Sequence, residues 1–129
     1  MSKLKFIVVL TIPGSITAAE LKTSLSELVD EVEGSRAKGI LVDVTELSKD
    51  PKLFDQVANA TGPVARQEID PKLYEKGIRK IAFVSPSGKY PGRDPKAGPV
   101  SAGPIPGKGL AADKHYFEDA TDAIAWLIS

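Results

Sequence analysis

Cysteine is absent from this sequence of 129 residues, and histidine occurs once, as His115. Without cysteine the chain has no disulfide bond, no thiolate nucleophile and no cysteine-ligated zinc or iron–sulfur cluster. One histidine also argues against a metal site built from several imidazoles. We therefore expect neither a metal nor another cofactor, and a chain without disulfides is typical of the cytoplasm.

An excess of charge of one sign is also missing, because 17 Lys and Arg residues balance 17 Asp and Glu residues. Proteins that neutralise many phosphates of a nucleic acid usually carry a basic surface, so the sequence does not favour a nucleic-acid partner. No apolar run reaches the ~20 residues of a transmembrane helix. Length and composition instead predict one soluble domain, residues 1–129, with its own core.

The most informative part of the chain is the stretch from Gly39 to Pro51. Its first half, Ile40–Thr45, is almost entirely apolar and predicts a strand buried on both faces of a parallel sheet. Its end, Asp50 followed by Pro51, matches the N-cap and first position of a helix. The stretch therefore predicts a central strand that leads into a helix, with the start of that helix exposed to a partner.

The remaining segments alternate between strand and helix patterns. Strands are predicted at Leu4–Ile12 and Ile78–Ser85, where β-branched and apolar residues concentrate. A helix is predicted to begin at Thr17, which has capping-box spacing with Glu20, and to stop at Gly34. Its apolar residues recur at helical spacing: Leu21, Leu25, Leu28, Val29 and Val32.

Turn and cap signals organise the rest of the chain. The helix after Asp50 is predicted to end at Gly62–Pro63, and Asp70 is predicted to cap a short further helix. A last strand is expected at Leu110–Ala112 or Tyr116–Phe117, before a final helix capped by Glu118 or Asp119. This order predicts an α/β domain with a mostly parallel sheet of four to five strands, covered by about four helices.

The segment 86–109 has a different composition, with six prolines and six glycines in 24 residues and a net charge of +3 from four cations and one anion. So many prolines and glycines exclude a long helix or a continuous strand. The sequence predicts an irregular basic loop. Three interpretations remain open at this point: a lid over a ligand, a segment that orders on a partner, and simple disorder.

Three segments resemble the STAS domain, named for sulfate transporters and anti-sigma-factor antagonists: Gly39–Ser48, Gly77–Ser87 and Gly109–Leu127. The first is similar to the family strand that ends in Asp-x-Ser, and the second to a strand followed by small-Pro-Ser. The third is similar to the closing Gly-Leu, Phe-Asp and Glu-Ala-Leu pattern. The chain looks most like the divergent branch of stand-alone bacterial STAS-like proteins. The resemblance implies a STAS-like fold and a non-enzymatic, regulatory role through binding of another protein.

Two departures from the family pattern limit what the resemblance implies. Members with a phosphorylatable serine carry Asp-Ser-Ser-Gly at the helix start, where this chain has Ser48-Lys49-Asp50-Pro51-Lys52. The usual serine phospho-switch is therefore not expected. The family also has a helix where this chain carries the segment 86–109, so the partner surface on that side must differ.

The candidate binding residues form two groups, and no catalytic or metal-ligating set is predicted. One group follows the central strand: Thr45, Ser48, Lys49, Asp50 and Lys52. The other follows the strand Ile78–Ser85, at the edge where open α/β sheets bind ligands: Ser85, Ser87 and Lys89. Plain turn or cap roles remain open for these serines. For Asp43 a metal or base role stands beside a structural hydrogen-bonding role.

These observations predict a protein-interaction domain of regulatory function, which is the first hypothesis. The alternative is a domain that binds a small anion, a nucleotide or a lipid, with segment 86–109 as its lid. An enzyme is a third hypothesis, for which the sequence supplies no base–nucleophile pair.

Overall fold

The computed structural model describes residues 6–85 and 110–129 with their side chains, and residues 2–4 by their backbone. Five strands form one sheet in the order β1–β2–β3–β4–β5. Their bounds are Ser2–Leu4, Ile7–Thr11, Gly39–Asp43, Lys80–Val84 and Asp113–Phe117. Strand β1 runs antiparallel to β2, whereas β2 to β5 are all parallel. The predicted α/β class with a mostly parallel sheet is confirmed.

The helices of the described residues are α1 to α5: Ala18–Glu33, Thr45–Ser48, Pro51–Val64, Asp70–Glu75 and Ala120–Leu127. A π-helix, Ala65–Ile69, joins α3 directly to α4. Helices α1, α3 and α4 cover one face of the sheet, and α5 packs against the other face at β3, β4 and β5. None of the helices in this part of the chain combines the length and the apolar character that crossing a membrane requires.

Strand β3 is the central element that the sequence predicted. Alternate residues of β3 face the two sides of the sheet, so Ile40 and Val42 pack under α1 and α3, while Leu41 packs under α5. Both faces are therefore covered, which explains why the strand reads as one continuous apolar run. Val42 and Val44 are 8% and 6% exposed, as a buried strand requires.

The predicted cap of α1 is confirmed. The Glu20 N–H donates to Thr17 Oγ1 at 3.1 Å, and the Thr17 N–H donates to Glu20 Oε1 at 3.2 Å. The helix ends at Gly34, as the sequence predicted. Both capping-box partners lie within one turn, so the local sequence is sufficient to fix this helix start.

Two strand predictions need correction. Leu4–Ile12 is not one strand but two, because β1 folds back on β2 with Leu4 opposite Ile7. The intervening residues contain neither glycine nor proline, so no turn signal marked the reversal. The last strand is Asp113–Phe117, which includes Tyr116–Phe117 but not Leu110–Ala112. Asp119 caps the final helix by accepting the Thr121 N–H at 2.6 Å.

The predicted helix stop at Gly62–Pro63 is wrong. Helix α3 continues through Pro63 to Val64 and then widens into the π-helix Ala65–Ile69. Proline removes one backbone hydrogen bond from a helix, but Val57 and Ile69 on either side are buried in the core. Packing of the helix on the sheet therefore outweighs the local breaking signal.

The predicted cap role of Asp70 is also wrong. Ile69 is the residue that precedes α4, and Asp70 is the first residue of that helix. The Asp70 carboxylate instead accepts from Lys114 Nζ at 2.8 Å, across 44 positions of sequence. A distant cation on β5 determines the role of this aspartate.

Candidate functional site

A cavity of about 520 Å³ lies between the sheet and the helices α1 and α3. Strands β2, β3 and β4 supply its floor, and the two helices and the π-helix supply its walls. Most of the side chains that line the cavity are apolar. They include Leu10, Ile12, Ile40, Val42, Ile81, Phe83, Leu21, Leu25, Phe54, Val57, Ala58 and Ala65. Pockets for small molecules in proteins commonly measure ~300–1,000 Å³ and are mostly apolar. The cavity therefore has the size and lining of a small-molecule site.

Three exposed residues of α3 and the π-helix also line the cavity and thus mark its rim. They are Asn59, Gly62 and Arg66, spaced at i, i+3 and i+7 on one side of the helix. Within the described part of the chain, the side chain of Arg66 makes no hydrogen bond and no ion pair. The described part of the rim therefore carries a guanidinium group that is available to a ligand.

An ion pair forms another polar part of the cavity lining. Lys114 Nζ on β5 lies 2.8 Å from Asp70 Oδ2, and both residues line the cavity. The Asp70 side chain is 7% exposed and that of Lys114 is 27% exposed, so water screens this pair only partly. The pair is neutral as a whole, so among the described lining residues Arg66 carries the uncompensated charge.

The sequence reasoning did not find the cavity. It singled out neither Arg66 nor Lys114. One local signal was present, because Ala58, Gly62 and Ala65 recur at i, i+4 and i+7 along α3 and the π-helix. Small residues at helical spacing leave room beside a helix, although the same pattern also permits close packing.

The turn after β3 is held by Asp43. Its Oδ1 atom accepts the Thr45 N–H at 2.9 Å and also accepts from the Thr45 hydroxyl. The structural role considered for Asp43 is therefore confirmed. The turn places Thr45 at the start of α2, so β3 ends two residues earlier than the sequence predicted.

Ser48 and Ser85, from the two predicted groups, meet inside the protein. Their hydroxyl oxygens lie 2.6 Å apart, and the Ser48 hydroxyl donates to the Thr45 carbonyl oxygen at 2.9 Å. Ser48 is 2% exposed and Ser85 is 0% exposed. These serines thus join α2 to the end of β4 and lie below the protein surface.

Three residues of the first group lie on the surface, whereas Thr45 is half-buried in the turn. Lys49, Asp50 and Lys52 are exposed around the start of α3, where Asp50 Oδ1 accepts the Leu53 N–H at 3.1 Å. Lys49 forms a surface ion pair with Glu46 at 3.1 Å. We call the exposed residues 49, 50 and 52 the shoulder.

Ser87 and Lys89 belong to the segment 86–109, all of which lies outside the described residues. The loop or lid predicted for this segment stays a prediction. Among the residues that are described, no group of three or more His, Cys, Asp or Glu side chains could hold a metal ion. His115 lies on the α5 side of β5, with ring centroids 4.1 Å from Phe117 and 5.5 Å from Trp126. Its ring is thus part of an aromatic cluster.

In comparisons with known proteins, no family model, no curated protein and no solved structure matches the chain.

Proposed function

We propose that this chain is a non-enzymatic, STAS-like binding domain, and that the cavity between the sheet and α3 holds a small, largely apolar ligand. The observation that carries the proposal is the cavity itself. A partly open, mostly apolar space of about 520 Å³ lies within the size range of small-molecule pockets, so a ligand-binding role accounts for it.

The STAS-like part of the proposal is supported by the positions of the three resembling segments. Gly39–Ser48 forms β3 and α2, the described part of Gly77–Ser87 contains β4, and the described part of Gly109–Leu127 forms β5 and α5. The three strands are neighbours in one sheet. The three resembling segments are separate in the sequence but thus lie next to one another in the fold. Under this proposal the domain works in the cytoplasm.

The non-enzymatic part is supported by the interactions of the polar groups at the ends of β3 and β4. The Asp43 carboxylate holds the turn of Thr45, and the Ser48 and Ser85 hydroxyls pair with each other. Groups used in this way stabilise the junction of β3 and α2. A structural role accounts for them without a reaction.

The proposal is tested by filling the cavity with a larger side chain and measuring the binding of a neutral apolar probe, decan-1-ol. Ala58 lines the cavity, so Ala58→Phe places a ring inside it, whereas Ala60 is exposed and Ala60→Phe is the matched control. A ligand at a hundredfold excess over its Kd stabilises the folded state by about 2.7 kcal/mol. We expect decan-1-ol to raise the melting temperature of the wild type and Ala60→Phe, but not of Ala58→Phe.

Two results would contradict the proposal. One is that decan-1-ol and related apolar compounds leave the melting temperature of the wild type unchanged. The other is that they stabilise Ala58→Phe as much as Ala60→Phe, because binding would then occur elsewhere.

A protein partner at the shoulder is the second candidate function, and the exposure of Lys49, Asp50 and Lys52 favours it. The Asp43 and Ser48 hydrogen bonds hold this surface in place, so it is preorganised for a partner. A photo-crosslinking residue at position 52 should capture one discrete partner in cells of the source organism. The same residue at Lys72, exposed on α4, is the control. Equal capture from both positions would count against a partner at the shoulder.

A further inference from the structure

We propose that the ligand of the cavity is a single-chain amphiphile with an anionic head group, a carboxylate or a phosphate, and that Arg66 binds this head group. This inference rests on the proposed function, because it specifies the ligand of the same cavity. It assigns a ligand class to the site and a binding role to a residue that the sequence did not single out.

The interior of the cavity is suited to an alkyl chain. Side chains from the sheet, such as Leu10 and Val42, face Leu25 and Phe54 from the helices across the space. None of these side chains offers a hydrogen bond, so a polar ligand body would lose its water without compensation. An alkyl chain instead contributes about 0.8 kcal/mol for each methylene group that it buries.

The rim is suited to an anion. Arg66 is exposed and lines the cavity, and within the described residues its side chain forms no hydrogen bond or ion pair. A guanidinium group presents several N–H donors in a planar fork that matches carboxylate and phosphate oxygens. An amphiphile with its chain inside therefore brings its head group to the level of Arg66.

The charges around the cavity disfavour a cationic or neutral head group. Among the described residues, the charged ones in the lining are Arg66, Asp70 and Lys114, and the Asp70 carboxylate is bound to Lys114 at 2.8 Å. A cationic head group would therefore meet Arg66 and find no available carboxylate in the described part of the lining. A neutral head group would gain no charge-assisted hydrogen bond.

The backbone at the rim supports the same assignment. Arg66 is the second residue of the π-helix, and π-helical turns occur frequently at functional sites. One turn earlier, Gly62 leaves open space, because apart from its chain neighbours and the local helix backbone a Cβ added there would meet no atom within 4 Å. The rim thus has room for a head group beside the guanidinium.

The experiment measures, by titration calorimetry below the micelle concentration, how the wild type binds four decyl compounds that differ in their head group. They are decanoate, decyl phosphate, decan-1-ol and decyltrimethylammonium. The variant Arg66→Gln removes the proposed partner, and Arg36→Gln is the control at an exposed arginine outside the cavity lining. Circular dichroism shows whether the variants remain folded.

We expect Arg66→Gln to weaken binding of decanoate or decyl phosphate about tenfold, as for the loss of one charge-assisted hydrogen bond. Binding of decan-1-ol should stay unchanged, and Arg36→Gln should behave as the wild type. Whichever anion binds more tightly identifies the head group as carboxylate or phosphate.

The possible failures are distinguishable. If decan-1-ol or decyltrimethylammonium binds the wild type as tightly as the anions, or if Arg66→Gln weakens all four compounds equally, the head-group assignment is wrong while the apolar cavity stands. If none of the four compounds binds, both this inference and the proposed ligand-binding function are wrong.

Discussion

The hydroxyl oxygens of Ser48 and Ser85 lie 2.6 Å apart, although 37 positions separate the two residues in the sequence. The Ser48 hydroxyl also donates to the Thr45 carbonyl oxygen at 2.9 Å. Both serine side chains are buried, which makes the hydrogen bond between them a direct connection between α2 and the carboxyl end of β4. The connection fixes the turn from which the shoulder projects.

Removing either hydroxyl should destabilise the protein. A buried hydrogen bond contributes about 0.5–1.5 kcal/mol, and a partner left unsatisfied costs about 1–3 kcal/mol. We expect Ser48→Ala and Ser85→Ala each to lower the free energy of unfolding by about 1–2 kcal/mol in urea titrations. In the double variant the two losses should not add, because both substitutions remove the same hydrogen bond.

The control is Thr23→Ala on the exposed side of α1, where the hydroxyl donates to the Ala19 carbonyl oxygen. This change should alter stability by less than about 0.5 kcal/mol. Strictly additive effects of Ser48→Ala and Ser85→Ala would show that the two hydroxyls do not interact in solution.

The ion pair of Asp70 and Lys114 should contribute more than the pair of Glu46 and Lys49. Asp70 is buried, so Lys114→Met leaves a carboxylate with little water, whereas both side chains of the other pair are more than half exposed. We expect Lys114→Met to cost about 1–3 kcal/mol, between the values for surface and fully buried pairs. Lys49→Met should cost less than about 1 kcal/mol. Urea titrations of both variants at neutral pH test this, and equal losses would contradict it.

Alanine should have different effects at two glycines. Gly77 has a φ of 105°, a conformation that L-residues rarely adopt, so Gly77→Ala should lower the free energy of unfolding by about 1 kcal/mol or more. Gly34 ends α1 with a φ of −85°, which any L-residue can adopt, so Gly34→Ala should change the free energy of unfolding by less than about 0.5 kcal/mol. Thermal or urea unfolding gives both values. Equal losses at the two positions would contradict a special backbone conformation at Gly77.

The ion pair of Glu33 and Lys76 makes the stability of the protein depend on pH. A hydrogen bond from Lys76 at 2.7 Å, together with its positive charge, lowers the pKa of Glu33. Because the folded pKa lies below the unfolded value, this contact stabilises the protein above the unfolded pKa. The contribution is lost as the pH falls through the folded pKa.

An NMR titration of the Glu33 carboxyl carbon measures this directly. The pKa of Glu33 should be lower in the wild type than in Lys76→Met, and Lys72→Met, at an exposed lysine of α4, should leave it unchanged. The same pKa of Glu33 in all three proteins would mean that the contact between Glu33 and Lys76 does not form in solution.

The local sequence was sufficient for the features that depend on neighbouring residues. Thr17 and Glu20 predicted the start of α1, and Asp50 with Pro51 predicted the start of α3. The apolar run of β3 predicted a strand covered on both faces. In each case the interacting groups lie within a few positions, or the pattern reports burial directly.

Local sequence signals gave wrong predictions where contacts with distant residues determined the structure. Pro63 reads as a helix stop, yet core packing carries the helix past it into a π-helix. Asp70 reads as a helix cap, yet Lys114 on another strand binds its carboxylate. A local signal of about 1–3 kcal/mol is small beside the burial of a whole helix face.

The sequence by itself thus determined the class of the fold, its central strand and the caps of its main helices, because those depend on short-range hydrogen bonds and on the period of apolar residues. Only the tertiary structure brought Ser48 to Ser85, paired Asp70 with Lys114, and left a cavity beside Ala58 with Arg66 on its rim. These features arise where separate elements meet, and the distance between two such elements is set by the packing of the whole chain.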